Sequence, residues 1–299
     1  MISKFTDLLK LATATACLTV VTGQAAHAGQ LVNDWNYAID SFNDGSEAGV
    51  FGSASDFEFY GLATKVTETS VFVAINSNLA LGGYDYSGAA DGHIGYGDLF
   101  FNFSGDNLAT ANGNLFGIRF AENNESGVSE LGVYGNVTGK NIAETNSGFT
   151  DLKHHNNYTQ EVTGAGASMG DLAANDSYFQ YDADWSTPNS IASGTKLGNI
   201  NMLTSSNLDT EGLFFSAFGA TGSHTFGFSF DRSLLPTGDF IAHLFAECLN
   251  DGLALTGDLE FDQFEQADPT LAASVPEPSG VASVMVLGAI GVVSRRRSA

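Results

Sequence analysis

The sequence predicts an all-β protein: an antiparallel β-sandwich or jelly-roll-like body, with an N-terminal signal helix and a C-terminal short transmembrane helix. Three observations lead there. Apolar residues make up 43% of the 299 positions, enough for a packed core, which sets disorder aside. There are 35 Gly and 23 Phe but only 5 Pro, a composition suited to short strands joined by tight turns. Short apolar runs recur between Gly, Asn and Asp, with no amphipathic helical period among them.

Residues 1–28 read as a secretory signal. Lys4 and Lys10 precede an apolar run from Leu11 to Val21, and Ala26-His27-Ala28 supplies the small residues that signal peptidase accepts, with cleavage after Ala28. Residues 29–255 form the sandwich domain. Strands are expected at 57–64 (FEFYGLAT), 70–77 (SVFVAINS), 97–105, 114–122 and 130–139. The polar stretch 140–195 reads as long surface loops with one or two short strands. Phe226, Phe228 and Phe230 fall at period two, so their rings share one face of a strand. Residues 238–255 are expected to pair with that strand across a turn at 231–238. The acidic segment 256–274 reads as a linker.

The last stretch, 275–299, has three parts. Val275-Pro276-Glu277-Pro278 keeps the backbone extended and blocks a helix from starting early. Ser279 to Ser294 is nearly uncharged and, as a helix, about 24 Å long, against a bilayer core of about 30 Å. Arg295, Arg296 and Arg297 follow and belong on the cytoplasmic side, which puts the body outside. The segment is therefore a weak, temporary stop rather than a permanent anchor.

These three features in this order resemble the PEP-CTERM sorting signal of Gram-negative and cyanobacterial surface proteins. The resemblance implies export, recognition of Pro-Glu-Pro by an exosortase, and removal of the tail. Glu247-Cys248-Leu249-Asn250-Asp251 resembles the Glu-Cys-Gly-Asn-Asp element that often precedes such tails, with Leu249 where the pattern has Gly. Residues 35–46 and 94–105 are also similar to segments of cyanobacterial exosortase-dependent proteins.

The formal charge of −23 argues against nucleic acid or anionic lipid as a partner, leaving the membrane to the C-terminal segment alone. Removing both ends takes away five basic and two acidic residues, so the body is more acidic still. Cys17 leaves with the signal, and Cys248 remains as a free thiol, expected to be buried and inert.

Four sets of residues carry candidate chemistry. Gly166-Ala167-Ser168-Met169-Gly170 matches a nucleophile elbow, which requires a buried strand running into a helix; "DLAANDSYF" is a poor helix. His154 and His155, adjacent on an extended segment, point to opposite sides, whereas His224 and His243 fall on neighbouring predicted strands. Calcium suits the acidic turns better. Asp85, Asp91 and Asp98 lie close in a Gly-rich stretch, and Asn43-Asp44-Gly45 and Asn250-Asp251-Gly252 offer similar hard ligands. None has EF-hand spacing, and plain turn formation competes with each. Finally, Trp35, Tyr37, Tyr84, Tyr86 and Tyr96 could stack on sugars if exposed on one face, or else pack in the core.

The expectation is thus an exported protein, briefly held in the membrane and then delivered to the cell surface or extracellular matrix. Its processing partners are signal peptidase and an exosortase, its ligand class exopolysaccharide, and its body a non-catalytic binding or structural module. The alternatives are a calcium-assisted carbohydrate-binding module and a secreted serine hydrolase using Ser168.

Overall fold

Alternating phenylalanines set the core. Phe226, Phe228 and Phe230 are buried side by side, in register with Ile75, Val73 and Val71 of the neighbouring strand. Same-face pairs of this kind, aromatic against β-branched, are the stabilising unit of a sheet. The computed structural model describes residues 29–180 and 186–260. Cys17, Ala26, Ala28, Val275–Pro278 and Arg295–Arg297, and with them both terminal helices, lie outside the described residues.

In chain order, the strands of the two main sheets are β1 (Gln30–Val32), β2 (Trp35–Ile39), β3 (Phe59–Val66), β4 (Ser70–Ser77), β5 (Leu99–Asn102), β6 (Leu115–Arg119), β7 (Gly132–Lys140), β8 (Ser190–Gly198), β9 (Asn201–Leu203), β10 (His224–Asp231), β11 (Asp239–Phe245) and β12 (Gly252–Asp258). One six-stranded sheet has the order β1-β2-β3-β4-β10-β9, the other β8-β7-β6-β5-β11-β12. All neighbours in both run antiparallel. The expected all-β class is therefore observed, in a sandwich-like arrangement.

The inner faces meet in one core. Leu62, Val73, Ile75 and Phe228 of the first sheet join Phe101, Ile118, Leu244 and Leu255 of the second. The outer faces are covered as well. Leu208, from the short helix Ser205–Thr210, and Phe215 lie over Trp35, Tyr37 and Ala74. Leu108, Leu152, Tyr178 and Phe179 lie over Phe100, Leu115 and Phe245. Strands buried on both faces read as continuous apolar runs, which explains "SVFVAINS".

Three expectations are corrected. First, 238–255 does not pair with 224–231. The partners of β10 are β4 and β9, and residues 238–255 hold β11 and most of β12, which pair with each other in the opposite sheet. The segment 231–238 therefore crosses between sheets, with Leu235 buried on the way. Second, the polar stretch 140–195 contains a 12-residue helix, Leu152–Thr163, as well as the start of β8. Asp151 caps the helix by accepting from the His154 N–H at 2.7 Å, and Gly164 ends it at φ +82°. Its buried face is Leu152, His155, Asn156 and Thr159, at helical spacing but mostly polar, so hydropathy gave no sign of it. Third, β12 continues to Asp258, past the expected domain boundary at 255, because Asp239 to Ile241 pair with residues 256 to 258.

Candidate metal centre

Two Asn-Asp-Gly turns, far apart in sequence, meet at one end of the sandwich. Beyond β2 the chain leaves the sheet at Asp40, whose N–H still donates to the Tyr60 carbonyl at 3.1 Å. The Asn43-Asp44-Gly45 turn then presses on Glu58. A Cβ at Gly45 would come within 2.6 Å of the Glu58 Cα, so only glycine fits there. The Gly45 N–H donates to Glu58 Oε2 at 2.9 Å. The second turn joins β11 to β12. Ser46 N–H donates to the Asn250 carbonyl at 3.1 Å, and Asn250 Nδ2 donates to the Ser46 carbonyl at 2.7 Å, bracing the two turns.

This brace gathers acids. Asp40, Asp44 and Asp251, all buried, each place a carboxylate oxygen within 4.8 Å of the others. Backbone donors satisfy one oxygen of Asp40, one of Asp44 and both of Asp251. Asp40 Oδ1 accepts from Gly170 at 3.0 Å and Asp44 Oδ2 from Ser168 at 2.7 Å. Asp251 accepts from Phe59 at 2.7 Å and from Gly252 at 2.8 Å. The second oxygens of Asp40 and Asp44, Oδ2 and Oδ1, and the Oε1 of Glu58 are buried without a hydrogen-bond partner. The hydroxyls of Ser168 and Ser41 ease Asp40 and Asp44, but Ser41 Oγ itself bonds Asn43 Oδ1.

Burial raises all four carboxyls above their ordinary values, Asp44 to about 6 and Glu58 to about 9. The Asp44 charge adds to the rise at Asp40 and Glu58, and the Asp40 charge adds to it at Asp251. No lysine or arginine is among the leading influences on any of them. From the helix Leu152–Thr163, buried His155 sets Nε2 3.2 Å from the Asp44 carbonyl oxygen, and burial lowers its pKa to about 4, so the ring is neutral. A cleft of about 830 Å³ reaches the cluster, lined by Asp40, Asn43, Asn156, Gln160, Ser168 and Asn175 among others.

The other expected residues fall elsewhere. Asp85 and Asp91 are exposed on a small hairpin pairing Tyr84–Asp85 with His93–Ile94, and they are not gathered with Asp98. Asp98 is fully buried and saturated by donors from Asn124, Ser126 and Ile191. Ser168 sits in a two-stranded hairpin with Leu172–Ala173 rather than between a strand and a helix. His154 and His155 lie on a helix, not an extended segment, His154 outward and His155 inward. His224 and His243 belong to different sheets. His243 stacks on Phe100 at 5.1 Å and meets the Tyr178 hydroxyl at 3.0 Å. Trp35, Tyr37 and Tyr96 are buried and Tyr86 is exposed, so the five aromatics make no common sugar-stacking face.

The Glu-Cys-Leu-Asn-Asp element forms the β11–β12 turn and contributes Asp251 to the centre. Cys248 is buried and free, its thiol pushed up to about 12 by burial, which makes it inert. Leu249 adopts φ +53°, the left-handed conformation that glycine favours. Glu247 accepts from the Gly95 and Glu125 N–H groups, each at 2.6 Å. Burial holds its carboxyl up at about 7, with the Glu125 charge adding and His93 opposing. A carboxyl raised in the folded state stabilises the fold below its unfolded pKa and loses that contribution as pH rises through the folded value. Stability should thus fall between about pH 4.5 and 7, with a share from Glu247 of about 3 kcal/mol. Urea unfolding across that window should give a flatter slope for Glu247→Gln, which cannot ionise; an unchanged slope would remove Glu247 from the cause.

Sequence reasoning found Asp44 and Asp251 but missed Asp40 and Glu58. The signal for Glu58 was a lone acid between Phe57 and Phe59 in an apolar run, where a buried charge needs a partner. Compared with family models, curated proteins and solved structures, the chain matches none.

Proposed function

We propose that the protein is an exported surface or matrix protein whose β-sandwich is a non-catalytic binding or structural module, delivered by a signal peptide and an exosortase-type sorting tail. The observation that carries this reading is the C-terminal order Pro276-Glu277-Pro278, apolar segment, then Arg295–Arg297. This reading assigns membrane contact to the tail; among the described residues no helix is long and apolar enough to cross a membrane. The placement of Ser168 in a hairpin, with its N–H committed to Asp44, supports a structural use of that serine. In a host with the processing enzyme, Glu277→Ala should leave the protein at full mass in the membrane fraction. Normal cleavage of that variant would count against the sorting reading.

A second reading, a calcium-assisted carbohydrate-binding module, draws on the cleft. Its amide side chains, Asn43, Asn156, Gln160 and Asn175, are suited to hydroxyl-rich ligands, and Phe42 and Phe218 line the same space.

A further inference from the structure

The two Asn-Asp-Gly turns, the start of β3 and the hairpin at Ser168 converge on four buried carboxyl groups, with no lysine or arginine among the leading influences on them. Three carboxylate oxygens lie within 4.8 Å of one another. Oxygens on opposite sides of a calcium ion are about 4.6–5.2 Å apart, given bonds of about 2.3–2.6 Å. Glu58 gives an independent indication. It stands outside that triad and is fully buried, yet its Oε1 has no hydrogen-bond partner and its charge acts on Asp40 and Asp251. Buried carboxylates are expected to be paired or to coordinate a metal. Backbone N–H groups already fix one side of Asp40 and of Asp44, so their remaining oxygens are held in place rather than free to turn away.

We propose that Asp40, Asp44 and Asp251 bind a divalent cation of the calcium class, with Glu58 beside it as a fourth carboxylate. The donors are all hard oxygens, with no cysteine or free imidazole nitrogen in the triad, which favours calcium over zinc or copper. A site supplied by several protein carboxylates favours calcium over magnesium, which is held by one or two carboxylates and keeps several waters. The cleft that includes Asp40 and Asn43 provides an entry path. The ion ties the segment after β2 to the β11–β12 turn, and so fastens one sheet to the other at this end. This inference does not depend on where the protein is delivered.

The test uses the full-length protein, purified in detergent, stripped with chelator and titrated with calcium chloride alone at physiological salt. Calorimetry should show one ion per chain. Calcium at about a hundredfold over its Kd should raise the melting temperature by about 5–10 °C. Asp44→Asn keeps a carbonyl oxygen for the Ser168 N–H and removes a charge. It should weaken calcium binding at least tenfold and abolish the calcium-dependent rise, while the stripped variant melts no lower than the stripped wild type at pH 8. Glu58→Gln is the second variant, expected to weaken binding in the same sense if Asp44→Asn fails to fold. No heat and no shift with the stripped wild type would overturn the proposal. So would calcium affinity unchanged in Asp44→Asn or, should that variant fail to fold, in Glu58→Gln. Binding of magnesium with equal affinity would overturn the calcium assignment.

Discussion

Asp98→Ala is expected to cost about 3–5 kcal/mol of folding stability, the range for removing one partner of a buried charged network. Asp98 is fully buried at the foot of β5. Its Oδ1 accepts from Asn124 Nδ2 at 2.8 Å; its Oδ2 accepts from Ser126 Oγ at 2.8 Å and from the Ile191 N–H at 2.7 Å. Asn124 in turn holds the Arg119 guanidinium at 2.9 Å through its own carbonyl. Alanine strands all of these donors at once, at a point where β5, the end of β6 and the start of β8 are tied together. Asp98→Asn should recover only part of the loss, because its amide group faces donors. The cost should be the same with calcium or with chelator, since Asp98 is saturated by protein donors. Urea unfolding of the three proteins measures this; a loss under about 1 kcal/mol would mean that the donors find other partners.

Phe228→Ala should cost a similar amount, about 3–5 kcal/mol, for a different reason. The ring is fully buried between the sheets, stacked on Phe120 at 5.4 Å and on Phe230 at 6.4 Å. Phe120 follows β6 of the opposite sheet, so the pair is a bridge across the core. Alanine there leaves a cavity that a rigid sandwich cannot collapse into, on top of the lost transfer energy. Phe228→Leu keeps more of the volume and should cost roughly 1–2 kcal/mol. Equal losses for the two variants would show that the packing at this position is not what matters.

These residues also show what was legible in the sequence. Strand positions were, because period two and the Gly, Asn and Asp boundaries are local properties: 70–77 matches β4 residue for residue. Pairing was not, because it is decided by distant surfaces. The partners of Phe228 are Val73 of β4 and Met202 of β9, not a residue of the next strand along. The helix at Leu152 had legible ends, an Asp cap and a terminal Gly, but its inner face carries His155, Asn156 and Thr159 toward a polar interior. At the acidic cluster, the sequence offered the two Asn-Asp-Gly turns as oxygen donors, and the fold joins them. It also offered Asp98 with Asp85 and Asp91, and the fold separates those by burial. Turn chemistry is written locally; which turns meet is not.

The most direct measurement of the sorting claim is the intact mass of the native protein recovered from outside its host cell. A protein sorted as proposed will lack residues 1–28 and the tail that follows the Pro-Glu-Pro motif. A chain recovered from the cytosol at the full mass, from Met1 to Ala299, would contradict it.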